Sequence, residues 1–369
     1  MTENELLYRL ALQRISKIGD ITAKKLIAHC GSAEQVFKEK KDRLLKIDGI
    51  GLSIYKELSS GSHFLKEAEA EMKFIANESI CVHTFDEFGY PEKLKHCIDG
   101  PVLLFTKGNI NLDKKRIVSI VGTRNITTYG MAFCETLLAE LVPFNPVIVS
   151  GLAYGVDIQA HKHAVKNKLQ TIACLAHGLN QIYPKIHQKY VAEILENGGL
   201  VTDFWSTSQP ERENFLQRNR IIAGMAEATI VVESAEKGGS LVTADIAHSY
   251  NRDVFAVPGR VTDKYSSGCN QLIRSEKAHL ISSAADLVYW LNWDLPELKE
   301  SKPVQKQLFV QLTDEEQKLF DFLNNQGQQP IDLIALGCEM PTHKVATLLL
   351  NMELQGVIRP LPGKVFEVI

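Results

Sequence analysis

The sequence lacks the features that mark several large classes of protein. It contains no run of about 20 consecutive apolar residues, so no membrane-spanning helix is expected. The acidic start from Met1 to Glu5 has no apolar segment behind it, which argues against a secretory signal. The seven cysteines are scattered and form no C-x-x-C pair, so neither a zinc ribbon nor a disulfide framework is indicated. We therefore expect a cytoplasmic protein with reduced thiols.

A strong net charge of either sign is also missing. Lys and Arg number 41 against 44 Asp and Glu, which gives a formal net charge of −3. Any nucleic-acid site must therefore be a local basic patch, because the protein is not positively charged as a whole. A hydrophobic content of 45% and a charged content of 23% are ordinary for a globular protein. The 369 residues can form one large core and one or two small modules.

Differences in composition and periodicity along the sequence predict four segments. Residues 1–62 are short amphipathic helices broken by glycine, 63–292 form the core, 293–311 are a linker with Pro, Lys and Gln, and 312–369 form a last unit. The core opens with a connector to about residue 110. After it, apolar runs alternate with helical periodicity, which is typical of a Rossmann-like α/β fold with a mostly parallel sheet. The predicted strands are Ile117–Val121, Val147–Ser150, Thr171–Leu175, Leu200–Phe204, Ala228–Glu233, Asp253–Val257 and Ala278–Ile281.

The first segment contains a glycine turn between two predicted helices. Ile47-Asp48-Gly49-Ile50-Gly51, followed by the helical Leu52–Leu58, resembles a helix–hairpin–helix of a SAM-like module. Such glycines let backbone N–H groups approach a phosphate. An earlier turn, Ile18-Gly19-Asp20-Ile21, places a carboxylate where phosphate would lie. Phosphate binding and a protein-interaction role both remain open for this module.

The last unit has the element order of a winged helix. Helices are predicted over Thr313–Leu323, Ile331–Leu336 and Thr342–Leu354, followed by strands over Val357–Arg359 and Val365–Val368. Thr313 and Glu316 form a possible capping box at the first helix. Winged helices commonly place the third helix in the DNA major groove. Residues 312–369 hold four basic and eight acidic residues, however, so a protein-contact module is favoured over a DNA-binding one.

Glycine turns follow the predicted core strands, without a cofactor fingerprint. Strand Ile117–Val121 runs into Gly122-Thr123-Arg124 before a helix from about Thr127, and the next strand ends at Ser150-Gly151. Strand ends that lead into helix N-termini are where open α/β sheets bind anions. The first turn is not G-x-G-x-x-G, and G-x-x-x-x-G-K-[ST] occurs nowhere, so no cofactor is expected. Arg124 adds a guanidinium suited to bidentate phosphate contact.

Three further segments add basic, aromatic and polar residues. Lys185 follows Tyr183-Pro184, Phe215 precedes Arg218-Asn219-Arg220, and Gly239-Ser240 opens another helix. Aromatic side chains stack on bases and cations hold the backbone of single-stranded nucleic acid, with stacking worth about 1–3 kcal/mol per base. The candidate DNA-contacting residues are Gly122, Thr123, Arg124, Gly151, Lys185, Phe215, Arg218, Asn219, Arg220, Gly239 and Ser240.

Structural roles are the alternative for several of these residues. Phe215 is a candidate core aromatic that anchors its helix. Arg218 and Arg220 are candidates for structural ion pairs with Glu211, Glu213 or Glu233.

Metal and hydrolytic sites are not indicated. His161 and His163 are two residues apart on a predicted helix and so do not face each other. No serine lies in a G-x-S-x-G elbow. We expect no metal and no catalytic residue.

Taken together, the core motifs resemble the DNA-processing protein A (DprA/Smf) family over roughly residues 85–290. The motifs that carry the resemblance are Gly122-Thr123-Arg124, Ser150 to Asp157 with Ala160-His161, Tyr183-Pro184, Phe215 with Arg218 to Ala223, Gly239 to Ala244, and Val254 to Gly259.

The resemblance implies a function in natural transformation and recombination. Family members bind and protect single-stranded DNA without sequence preference, load the RecA recombinase, and tend to be homodimers rather than enzymes. In the family, the Gly-x-Arg turn and the Arg-Asn-Arg segment contribute to the DNA pocket, which implies that role for Arg124, Arg218, Asn219 and Arg220.

Two other functions compete with this one. An enzyme that cleaves nucleoside monophosphates would share the Gly238-Gly239-Ser240 turn and would need a carboxylate at the ribose, for which Glu233 lies near. A winged-helix transcriptional regulator would prefer duplex DNA, but the acidity of residues 312–369 disfavours it.

Overall fold

The computed structural model describes residues 1–294, 312–361 and 363–368. The predicted linker over 293–311 therefore lies, from residue 295 on, outside the described residues. The chain divides into two compact units, Met1–Leu295 and Pro296–Ile369.

The first unit begins with a helical module. Side-chain caps start two of its helices: Thr2 accepts a hydrogen bond from the backbone N–H of Glu5, and Ser32 accepts one from that of Gln35. Gly31, with a φ of 90°, ends the second helix in a left-handed cap. The helices are α1 (Glu3–Arg14), α2 (Asp20–Cys30), α3 (Ala33–Lys38), α4 (Lys41–Leu44), α5 (Leu52–Ser59) and α6 (Ser62–Asn77).

A sheet of nine described strands forms the body of the first unit. Its order is β1-β2-β6-β5-β4-β3-β7-β8-β9, and it is parallel from β6 to β9, with β2 antiparallel to β6 and β1 antiparallel to β2. The predicted Rossmann-like, mostly parallel fold is thus confirmed. The strands are β1 (Cys81–Thr84), β2 (Leu103–Gly108), β3 (Ile117–Val121), β4 (Val147–Ser150), β5 (Thr171–Cys174), β6 (Gly198–Thr202), β7 (Ala228–Val231), β8 (Asp253–Ala256) and β9 (His279–Leu280).

Helices cover both faces of this sheet. Along β3, Ile117 and Val121 belong to one hydrophobic cluster, whereas Val118 and Ile120 belong to another, because successive side chains of a strand point to opposite faces. The helices are α7 (Glu92–Lys95), α8 (Thr128–Glu140), α9 (Val156–Lys166), α10 (Gln188–Glu196), α11 (Arg212–Met225), α12 (Gly239–Ser249), α13 (Ser267–Arg274) and α14 (Ala284–Trp290), with 3₁₀ turns at Val142–Phe144 and Lys185–His187.

The strand order has a switch point beside β3. From β3 the chain moves outward through β4, β5 and β6, and then returns to place β7 on the other side of β3. In open α/β sheets the crevice at the carboxyl ends of two such strands is the usual ligand site.

The helical module packs against the β2 and β6 end of the sheet. Leu10 and Leu26 share one hydrophobic cluster with Phe105 and Trp205. Arg9 adds a bidentate contact to Asp86, at 2.6 and 2.8 Å. A domain boundary near residue 62 stays a prediction, since α6 begins there and packs against α1.

The second unit is a winged helix, as predicted. Its helices are α15 (Asp314–Gln326), α16 (Ile331–Gly337) and α17 (Thr342–Leu354), and its strands β10 (Gln329–Pro330), β11 (Ile358–Leu361) and β12 (Val365–Val368) pair in the order β10-β12-β11. The capping box of Thr313 and Glu316 is confirmed. Strand β10 was not predicted.

The described residues contain no single helix with the length and apolar composition to cross a membrane. Helices α16 and α17 reach that composition when taken together, but they are bent by 109° to each other. Their side chains Ile334, Val345 and Leu349 are buried in the core of the winged helix.

Candidate nucleic-acid site

An open cavity of about 750 Å³ lies at the carboxyl ends of β3 and β7, at the switch point of the sheet. Its lining includes four cationic side chains and one carboxylate, Asp157. The cations are Arg124, Arg212, Arg218 and Lys237. Of the residues predicted from the sequence, the cavity brings together Gly122, Thr123, Arg124, Phe215, Arg218, Asn219, Gly239 and Ser240.

The turn after β3 is held by backbone contacts on both sides. The N–H of Thr123 donates to the carbonyl of Glu233 at 2.7 Å, and the carbonyl of Thr123 accepts from the N–H of Val156 at 3.1 Å. A Cβ on Gly122 would lie 2.4 Å from the side chain of Val156. Arg124 is the exposed residue of this turn, so a rigid backbone presents its guanidinium to the cavity.

Gly155 packs directly beneath this turn. Its φ is +76°, and a Cβ there would lie 2.1 Å from the carbonyl oxygen of Thr123. Only glycine fits so close an approach in that backbone conformation. The N-terminus of α9 is thereby brought under the Gly-Thr-Arg turn.

Arg218 is a buried cation in the wall of the cavity. Its Nη1 donates to the carbonyl of Gly151 at 2.8 Å and also to that of Cys174. A Cβ on Gly151 would lie 2.6 Å from Nη2, so glycine at this position leaves room for the guanidinium. Gly151 itself does not line the cavity, and its role is to hold Arg218.

The carboxylate of Asp157 places a negative charge near the guanidinium of Arg218. Its Oδ2 accepts from the N–H groups of Gly151 at 3.1 Å and Ala153 at 3.3 Å. Burial raises the pKa of Asp157, and the nearby charge of Arg218 opposes that rise. Burial likewise lowers the pKa of Arg218.

Phe215 lies close to both Arg124 and Arg218. Its half-buried ring is 5.6 Å from the guanidinium carbon of Arg124 and 5.9 Å from that of Arg218. The ring of Tyr183 lies 5.8 Å away, centroid to centroid. Phe215 belongs to none of the hydrophobic clusters of the described residues, so it lines the cavity rather than anchoring its helix in the core. Lys185 is exposed and lies outside the cavity lining, two residues beyond Tyr183.

The structure corrects the placement of Arg220, which does not line this cavity. Arg220 is buried and forms ion pairs with Asp203 and, at 3.0 Å, with Asp20. The physical reason is the helical period: residues two apart on α11 point to different sides, so Arg218 faces the cavity while Arg220 faces the helical module. The alternative of a structural ion pair thus describes Arg220, although its partners are not the glutamates expected.

The same contact explains the carboxylate in the first glycine turn. Asp20 accepts from Arg220 and, at 2.8 Å, from the N–H of Val102. It fastens the helical module to the sheet.

The turn after β7 forms the opposite wall. A Cβ on Gly239 would have no atom within 4 Å, whereas the hydroxyl of Ser240 is buried and donates to Ser234 at 2.9 Å. Sequence reasoning missed Lys237 in this turn and Arg212, one helical turn before Phe215. Their positions next to predicted site residues were the available signal.

Glu233 has a structural role, because its carboxylate is hydrogen-bonded within the protein. It is buried, and its carboxylate accepts from the N–H of Thr127 at 2.9 Å and from the Thr127 hydroxyl at 2.5 Å. A Cβ on Gly130 would lie 2.6 Å from it. It therefore fixes the start of α8 and does not line the cavity, which removes the carboxylate on which the glycosidic-cleavage alternative depended.

Comparisons with known proteins agree with this architecture. A family model described as DNA recombination-mediator protein A matches residues 81–292, and one described as DprA winged helix domain matches residues 305–364. Protein Smf of Escherichia coli K12 is 36% identical over 287 residues, covering 74% of each chain.

Two solved structures are similar to this chain. DNA processing protein A of Streptococcus pneumoniae matches 78% of this chain and 98% of its own, with a TM-score of 0.64 and 31% identity. DNA processing protein A of Helicobacter pylori, for which a single-stranded DNA binding mode is described, matches 58% of this chain and 97% of its own, with a TM-score of 0.52 and 29% identity. Since the first family model covers more than half of the sequence, this chain belongs to the DNA recombination-mediator protein A (DprA/Smf) family.

Proposed function

We propose that this chain binds single-stranded DNA, without sequence preference, in the cavity at the carboxyl ends of β3 and β7. One observation carries the proposal: a half-buried aromatic ring, Phe215, lies within 6 Å of two guanidinium groups. An aromatic platform with adjacent cations suits a stacked base and its phosphates, and it distinguishes poorly between bases. The described single-stranded DNA binding of the Helicobacter pylori relative supports the same function.

Each part of the cavity has a role in this proposal. Arg124, exposed on a rigid turn, contacts a phosphate, and the N–H groups at the start of α12 are available to another. Phe215 stacks on a base. Arg218 is already bonded to two carbonyls, so it contributes mainly as a fixed positive charge in the wall. Lys185 and Tyr183 extend the surface beyond the cavity.

The direct test is Arg124→Ala in the full chain, measured by equilibrium binding to a single-stranded oligonucleotide across salt concentrations. A charged hydrogen bond contributes about 2 kcal/mol, so we expect affinity to fall roughly thirtyfold. The salt slope should decrease by about 0.7 for each phosphate that the variant no longer neutralises.

Lys115→Ala is the matched control. Lys115 is exposed two residues before β3, at the amino edge of the sheet, whereas Arg124 follows the carboxyl edge of the same strand. The control should bind as the wild type does. Unchanged binding by Arg124→Ala, or equal losses in both variants, would overturn the cavity as the site.

Family membership extends the proposal to a role in recombination. We infer that the chain protects single-stranded DNA during natural transformation, passes it to the RecA recombinase and acts as a homodimer. The measurement is the rate of RecA filament assembly on single-stranded DNA, compared in the presence and in the absence of the chain. We further propose that it is not an enzyme, and release of a free base from a panel of nucleoside monophosphates would contradict that.

A further inference from the structure

A second basic groove lies on the first unit, between α2 of the helical module and the segment around α7. It encloses about 680 Å³. Three lysines, Lys24, Lys25 and Lys95, line it together with His96, and the exposed side chains of Ile21 and Ile98 add apolar surface. None of these residues belongs to the cavity described above.

Positive charge dominates this groove. The one carboxylate in its lining, Asp86, is neutralised by the bidentate contact with Arg9. Lys25 lies 3.3 Å from Asp48, whose side chain is 99% exposed, so solvent screens that pair. Lys95 is exposed and has no ion-pair partner among the described residues.

Lys24 is held in the groove without a carboxylate. Its Nζ lies 3.4 Å from the carbonyl oxygen of Cys97 and 3.5 Å from that of Ile98, and 5.4 Å from the ring centre of Phe85. No carboxylate oxygen of the described residues approaches it within 4 Å. Burial lowers the pKa of Lys24, as expected for an ammonium group that lacks a full counter-charge. An anion entering the groove would supply that charge.

An apolar surface connects this groove to the cavity. Leu216, 47% exposed, lines the cavity and also a shallow depression that reaches Ile21, which is 42% exposed and lines the groove. Two carboxylates line this depression: Asp20 pairs with Arg220, and Asp99 accepts a hydrogen bond from the hydroxyl of Tyr250, which leaves its negative charge in place. The uncharged bases of a strand can therefore cross this depression over Leu216 and Ile21, while its phosphates turn away from Asp99.

We infer that this groove, which we call the α2 groove, receives the phosphates of a single strand that leaves the cavity over Leu216 and Ile21. The inference rests on the proposed function of the cavity. A single strand fits because its bases can lie on apolar side chains while cations follow its backbone. Lys24 and Lys95 are the two lysines that we assign to phosphate contact. The helical module then increases the length of DNA that one chain holds.

The test compares oligothymidylates of about 6 and about 20 nucleotides, because single-strand sites span roughly 4–16 nucleotides. The variant is Lys24→Gln with Lys95→Gln in the full chain. The short strand should bind the variant and the wild type equally. The long strand should bind the variant about tenfold more weakly, with a salt slope lower by about 1.4, which corresponds to two phosphates.

The control removes the same charge at the amino edge of the sheet. Lys115→Gln with Lys168→Gln changes two exposed lysines that precede β3 and β5, and it should leave both strands unaffected. If the double variant at the groove does not fold, Lys95→Gln alone, at an exposed and unpaired position, carries the test with half the change in slope.

Three results would overturn the inference. These are equal binding of the long strand by variant and wild type, equal losses for both lengths, and loss for duplex DNA alone. If the wild type binds both strands, Arg124→Ala weakens this binding and the groove variant binds as the wild type does, the inference fails and the proposed function stands. A wild type that binds neither strand would remove the proposed function itself.

Discussion

The two units each present a surface of a kind that nucleic-acid-binding proteins use, and the two surfaces are charged differently. In the first unit, Arg124, Arg212, Arg218 and Lys237 line one cavity with the single carboxylate of Asp157. The winged helix, over residues 312–369, has four basic residues and eight acidic ones.

The helix that enters DNA in other winged helices is poorly equipped for that here. Lys344 is the one lysine of α17, and it pairs with Glu315. The same helix exposes Leu350 and Leu354, the latter 80% accessible. A shape associated with duplex DNA thus carries an acidic and apolar surface, while a fold associated with dinucleotides carries the cations. Function follows the site and not the fold.

The largest expected effect is a difference in stability between substitutions at two glycines with similar φ angles. Gly155 (φ +76°) packs against the backbone of the Gly-Thr-Arg turn, whereas Gly356 (φ +71°) in the winged helix has open space around it. Gly155→Ala adds a clash to the backbone strain and should cost about 3 kcal/mol or more. Gly356→Ala should cost about 1 kcal/mol, from strain alone.

Tryptophan fluorescence reports on the unfolding of the first unit alone. All three tryptophans, Trp205, Trp290 and Trp293, lie in the first unit. Urea unfolding followed by fluorescence should shift strongly for Gly155→Ala and not at all for Gly356→Ala. Similar shifts would mean that the turn is not rigidly packed.

The second prediction concerns acid sensitivity of the first unit. His161 is buried, its Nδ1 is 2.7 Å from the hydroxyl of Thr171, and burial lowers its pKa to about 3. The unfolded histidine titrates near 6.5, so its stabilising contribution is complete above that pH and is lost as the pH falls toward 3. From about pH 7.5 to about pH 5 the loss is about 2 kcal/mol.

His161→Gln tests this contribution. The variant should be less stable than the wild type at neutral pH, and the difference should shrink by about 2 kcal/mol at about pH 5. A constant difference in the free energy of unfolding at both pH values would show that His161 is not buried as a neutral group.

The third prediction compares one apolar side chain of each unit in DNA binding. Phe215→Ala removes the stacking platform and should weaken single-stranded DNA binding by about 2 kcal/mol, or roughly thirtyfold. Leu350→Ala on α17 should leave the dissociation constant unchanged. Fluorescence anisotropy of a labelled oligonucleotide measures both, and equal effects would place DNA on both units.

Among the cations, the smallest effect is expected for Lys344→Ala. Because this lysine is exposed and already paired with Glu315, single-stranded DNA affinity should change by less than about twofold. A loss as large as that of Arg124→Ala would mean that the winged helix contributes to binding despite its net charge.

Local patterns predicted much of this fold. The runs Ile117–Val121 and Val147–Ser150 are strands with the predicted bounds, because both are short, mostly apolar segments buried on both faces. Val365–Val368 also has the predicted bounds, and the other predicted strands are confirmed with ends shifted by one or two residues. Strands β1 and β2 were missed inside the predicted connector, since their place in the sheet depends on antiparallel pairing of β2 with the distant β6.

In the candidate site, too, features with a local sequence signal were predicted, and features that depend on distant contacts were not. The glycine turns and Arg124 were predictable because strand ends and helix starts are local signals. Arg218 and Arg220 are arginines two positions apart. Only the packing of α11 shows that Arg218 lines the cavity and that Arg220 is structural. The partner Asp20 is 200 residues away from Arg220 in sequence, and no local pattern links the two.

Photo-crosslinking shows which residues of the chain lie against a bound single strand. A single-stranded oligonucleotide carrying 5-iodouracil is bound to the full chain, irradiated and mapped by mass spectrometry. We expect crosslinks in the peptides that contain Phe215 and Tyr183, and none in residues 312–369. Crosslinks confined to the winged helix, or a bound complex without a crosslink at Phe215 or Tyr183, would contradict the proposed site.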